Sequence, residues 1–81
     1  MENSEIQKLK RTLEYLESKQ RELKKYNETE DSRSIESIIK YLKKEMLDQF
    51  NLVLYDEYIK EDIRDTDIFI RRVQHILERN L

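Results

Sequence analysis

Residues 34–54 read SIESIIKYLKKEMLDQFNLVL, and the spacing of their large apolar side chains is that of a helix. At about 100° per residue, Ile35, Ile38, Ile39, Leu42, Met46, Leu47, Phe50, Val53 and Leu54 fall along one arc. That arc covers roughly half the circumference, wider than the stripe a surface helix turns toward a single neighbour. A helix of this kind is expected between two partners, in the middle of a core. The segments on either side should supply those partners.

The preceding segment carries a seven-residue repeat. Ile6, Leu13, Gln20 and Asn27 hold one register and Leu9, Leu16 and Leu23 the other. Two apolar positions per heptad make the narrow seam of a coiled coil, with Gln20 and Asn27 as polar exceptions. Ser4 with Gln7 fits a capping box at the start of this helix. Glu17 with Arg21 is spaced as an i,i+4 ion pair. Only NETEDS, residues 27–32, interrupts the apolar pattern, and Asp31, Ser32 and Ser34 are candidate N-caps for the second helix. Its acidic residues suit a helix N-terminus. So short a break makes the two helices antiparallel neighbours. The seam then faces its own chain rather than a second copy, although a homodimeric coiled coil through the same residues is the alternative.

Near Asn51 the register changes. Leu52, Tyr55, Ile59 and Ile63 continue at helical spacing on a face turned by roughly 120°. The expected architecture is therefore all-α, a bundle of three or four helices. A hairpin of about 4–27 and 33–50 leads to a short helix over 52–64 and a last one over 66–80. Asp65, Thr66 and Asp67 are N-cap candidates for the last helix, and Asp67 with Arg71 is a second i,i+4 pair. Phe69, Ile70, Val73, Ile76, Leu77 and Leu81 form its apolar face.

Composition narrows the function classes. The 81 residues form one domain, small for a core without disulfides or metal. Gly, Pro, Cys and Trp are absent, and no Ala occurs. Without Gly, backbone positions that need φ > 0 must rely on Asn or Asp, which disfavours a hairpin-rich β fold. The same omissions, seen as codon usage, point to an AT-rich source such as a phage, a plasmid or a low-GC bacterium. Lack of Cys removes thiol chemistry and thiolate metal sites. Charged residues make up 42% of the chain, yet the formal net charge is only −2, so a broadly basic nucleic-acid binder is not indicated. No apolar run approaches the length of a membrane span and the first residues do not read as a signal peptide, so a cytoplasmic protein without membrane attachment is expected.

His75 is the sole histidine, and no partner stands at the helical spacing of a metal site. No cofactor, metal site or enzymatic activity is expected. Two surfaces are candidates for binding. The face turned by the register change, Leu52, Tyr55 and Ile59 with Tyr58 and the acidic Glu57 and Glu61, is the expected contact with another protein, since exposed Tyr is favoured at binding hot spots. The alternative is an anion or nucleic-acid site on the polar face of the last helix, formed by Arg71, Arg72, His75 and Arg79. The leading expectation is a small regulator, adaptor or inhibitor acting through protein–protein contact.

Overall fold

In the computed structural model, which describes residues 1–26 and 30–80, three helices follow one another as α1 (Asn3–Lys25), α2 (Glu30–Gln49) and α3 (Thr66–Arg79). No strand occurs among the described residues. The all-α bundle expected from periodicity is what forms. Its longest dimension, 39 Å, is set by α1, whose 23 residues rise about 34 Å.

The heptad seam of α1 behaves as its spacing predicts. Ile6, Leu9, Leu13 and Leu16 are buried, and Leu23 packs against the core from its edge. Asn27 lies outside the described residues. The capping box does not form: Glu2 is the N-cap, makes no side-chain cap bond, and Ser4 sits inside the first turn. On the surface of α1, Lys19 pairs with Glu22. The Asp67–Arg71 pair is not made, because Lys24 reaches across from α1 and engages Asp67 at 3.2 Å. The Glu17–Arg21 pair is not among the ion pairs of the described residues either.

Helix α2 starts at Glu30, earlier than the expected residue 33, so Ser32 and Ser34 lie within its first turns rather than capping it. It ends at Gln49. Of the wide arc, Ile35, Ile39, Met46 and Phe50 are buried, while Ile38, Leu42 and Leu47 are only partly covered. Val53 and Leu54 leave the arc altogether and are exposed. The helix with close backbone approach to both others is α1, not α2. The narrow Leu and Ile seam of α1 lets its neighbours come near. The second side of α2 is covered instead by the connector that leads from it to α3.

That connector is the main departure from expectation. No α-helix spans 52–64. Asn51 takes φ 49° and ψ 47°, the left-handed conformation, and is the one described residue with positive φ. In a chain without Gly, Asn is among the residues that enter this region at least cost. The turn sends the backbone off the α2 axis into two 3₁₀ turns, Leu52–Leu54 and Glu61–Arg64. Between them the Asp56 carboxylate accepts from the Tyr58 amide at 3.0 Å. This local side-chain bond competes with helical pairing. Leu52 and Ile59, both 0% exposed, anchor the two sides of the connector in the core.

Helix α3 closes the bundle. Of three cap candidates Asp65 is the one used, its side chain accepting from the Ile68 amide at 3.2 Å. Phe69, Ile70, Val73, Ile76 and Leu77 are buried as expected, and Leu81 lies outside the described residues.

Candidate functional site

The connector between α2 and α3 is held in place by two polar clamps. The first is Arg72. Its Nη1 donates to Asp56 at 3.0 and 3.3 Å, and its Nε to Asp62. Asp56 is nearly covered, its side chain 11% exposed. Burial alone would raise the Asp56 pKa. The Arg72 and Tyr58 donors and the nearby guanidinium charges outweigh that and bring it below the ordinary carboxylate value. Its hydrogen bonds to Asp56 and Asp62 in turn hold the Arg72 proton more firmly than usual.

The second clamp is Lys43, a residue the sequence pattern does not single out. It is 5% exposed, and its ammonium donates to the Ile63 carbonyl and, at 2.9 Å, to Thr66 Oγ1. Burial lowers its pKa, an effect that the charge of Asp65 opposes. The aliphatic stem lies in the core while the charged end ties α2 to the start of α3. The signal that could have revealed it is position: Lys43 lies four residues after Ile39 and three before Met46, on the flank of the apolar arc.

These clamps decide which connector side chains face solvent. Of the residues expected to contact a protein, Leu52 and Ile59 are core, and Tyr55 is partly buried against it. Tyr58, Glu57 and Glu61 are exposed. The reason is the turn at Asn51, which swings the second stripe inward and carries its neighbours outward. Leu54 is 81% exposed, and Val53 and Tyr58 are about half exposed beside it. Residues 53–58 and Arg79 border one shallow concavity.

Arg71, Arg72, His75 and Arg79 do gather, around a second concavity that shares Asp56 and Arg79 with the first and includes Ile68. The expected anion site is not a free cluster of cations, however. Arg72 is neutralised by two carboxylates, and Arg79 leans on the carbonyls of His75 and Tyr55. Of these four, only the side chains of Arg71 and His75 project without a hydrogen-bonding or charged partner among the described residues. A denser set of unpaired cations lies elsewhere, where Arg33 and Lys40 of α2 face Arg64.

Among the described residues no group of three His, Asp or Glu side chains is placed to hold a metal ion, and no helix is long and apolar enough to cross a membrane. No family model matches the chain, and no curated protein or solved structure matches it either.

Proposed function

We propose that this protein is a non-enzymatic binding module, a regulator, adaptor or inhibitor that docks another protein through the tip formed by Val53, Leu54 and Tyr58. The observation that carries the reading is Leu54, 81% exposed on a connector anchored on either side of it by the fully buried Leu52 and Ile59. An apolar side chain presented on a backbone that is already anchored needs less ordering to enter a partner's pocket. Tyr58 adds a large amphipathic contact area beside it, and Glu57 and Arg79 supply a charged rim.

The reading is tested by affinity capture with the wild-type chain and three variants, Leu54→Asp, Tyr58→Ala and Tyr15→Ala. Tyr15 is exposed on α1, away from the connector in sequence. The expected result is one protein captured in stoichiometric amount by wild type and by Tyr15→Ala. Leu54→Asp should weaken that capture by roughly thirtyfold or more, the loss of a hot spot, with the helical circular dichroism unchanged. Equal capture by Leu54→Asp, or none by wild type, overturns it. Sedimentation of the same samples identifies the case in which the docked protein is a second copy of this chain.

A further inference from the structure

On α2, Arg33, Ser37, Lys40 and Lys44 follow one another at spacings of four, three and four residues, a single column on a helix. All four are exposed. Arg64, from the second 3₁₀ turn, stands across from this column. Arg33, Lys40, Lys43 and Arg64 border a groove of about 450 Å³, floored by Leu23 and Ile39. Lys40, Lys43, Lys44 and Arg64 border the adjoining one of about 480 Å³. Three side chains common to both make the two grooves one continuous track.

The charge balance of this track differs from that of the whole chain. Among the described residues five cations line it, against one carboxylate, Glu36. Asp65 is near Lys43 and is engaged in capping α3. None of Arg33, Lys40, Lys44 and Arg64 is in an ion pair among the described residues. At the far end Tyr41 is bonded to Glu45, and Glu45 and Asp48 border the next concavity, which limits the track to the stretch between Arg33 and Lys44. The eleven helical steps from Arg33 to Lys44 rise about 16 Å, the axial length of about five nucleotides of one strand.

We propose that this track binds the phosphate backbone of a nucleic-acid strand, with Arg33, Lys40, Lys44 and Arg64 as the contacting cations. Three cations in a column on α2, with Arg64 across the groove from them, fit a row of phosphates better than a single anion, which one or two of them would satisfy. Lys43 does not reach out, because its donors are held by Ile63 and Thr66. Its charge still adds to the potential along the groove wall. The side chains carry no base-reading arrangement, so binding is of the backbone and not of sequence. This surface is separate from the Leu54 tip and does not rest on the proposed protein contact.

The test is fluorescence anisotropy of the full chain against a labelled single strand of about twelve nucleotides, from roughly 30 to 200 mM salt. Wild type is expected to bind saturably at the lowest salt, with log K falling against log salt at a slope of about −2.8, four contacts at about 0.7 each. Lys40→Glu with Lys44→Glu should lower the affinity at least tenfold and flatten the slope by about 1.4. Should that pair lose helical signal, Lys40→Gln with Lys44→Gln, which removes charge alone, is read in its place. Arg71→Glu and Leu54→Asp should bind as wild type does. The proposal is overturned by no saturable binding at the lowest salt. It is equally overturned by a loss that accompanies Arg71→Glu rather than the Lys40 and Lys44 pair, or by tripolyphosphate binding as tightly as the strand.

Discussion

Helix α1 and the connector over residues 50–65 each bring large apolar side chains to zero exposure, by opposite means. Leu9 and Leu16 reach the core by repetition, each at the same place in its heptad. Leu52 and Ile59 reach it through one left-handed residue, two 3₁₀ turns and the Arg72 clamp. Repetition spreads stability over many equivalent contacts. The connector concentrates it in single groups that have no substitute, and in return it can hold a hydrophobic side chain out in water. That contrast is why the candidate docking tip sits on the connector and not on the seam.

Ile59 is the connector residue whose loss is expected to cost most. Ile59→Asp would place a carboxylate where no part of the side chain meets water, and is expected to cost about 4–5 kcal/mol or more, enough to unfold a domain of this size. Urea unfolding tracked by circular dichroism measures it. A folded Ile59→Asp variant with an unchanged midpoint would show that the connector is not part of the core.

Asp56→Asn comes next, with an expected loss of about 1.5–3 kcal/mol from its charge-assisted bonds to Arg72. The pH dependence gives a second readout. Asp56 has a folded-state pKa below its ordinary 3.8. It therefore adds stability above 3.8, and that contribution fades as pH falls through 3.8 to the folded value. Asp56→Asn should lack this component of acid destabilisation. Parallel acid curves for the two proteins would remove the clamp from the account.

Gln20→Leu probes the seam of α1 and has the opposite sign. The Gln20 side-chain oxygen is buried and meets no donor among the described residues. An apolar replacement in the seam is expected to stabilise the chain by about 1 kcal/mol. A destabilised variant would mean that this polar group fixes the register of α1 and α2. The smallest effect belongs to Leu54→Asp, within about 0.5 kcal/mol of wild type because the side chain is already in water. A larger shift in its thermal midpoint would place Leu54 in a packing role and remove it from the docking tip.

The helices are legible in the sequence because their patterns are local. The seam of α1, the buried face of α3, the approximate end of α2 and the use of Asp65 as one of three caps all come from spacing and side-chain chemistry. The change at Asn51 is visible as a shift of stripe, and the lack of Gly points to Asn or Asp for any left-handed position. The outcome of that shift is not visible. By spacing, Leu52 and Ile59 belong to the unpartnered stripe and Val53 and Leu54 to the end of the buried one, and the turn exchanges their roles. The candidate site is legible at Tyr58, Glu57 and in part Tyr55, but not at its most exposed member.

The three α-helices are thus a property of the chain read residue by residue, since a 3.6-residue period and a capping carboxylate act within a few residues of one another. The helix that the same spacing suggests over 52–64 does not form. The region between α2 and α3 belongs to tertiary packing. There a single φ/ψ choice at Asn51 rotates every later side chain. The partners that confirm the choice, Arg72 for Asp56 and Lys43 for Ile63 and Thr66, stand sixteen, twenty and twenty-three residues away. Contacts at that separation leave no period in the sequence, because they depend on where α1, α2 and α3 have already packed.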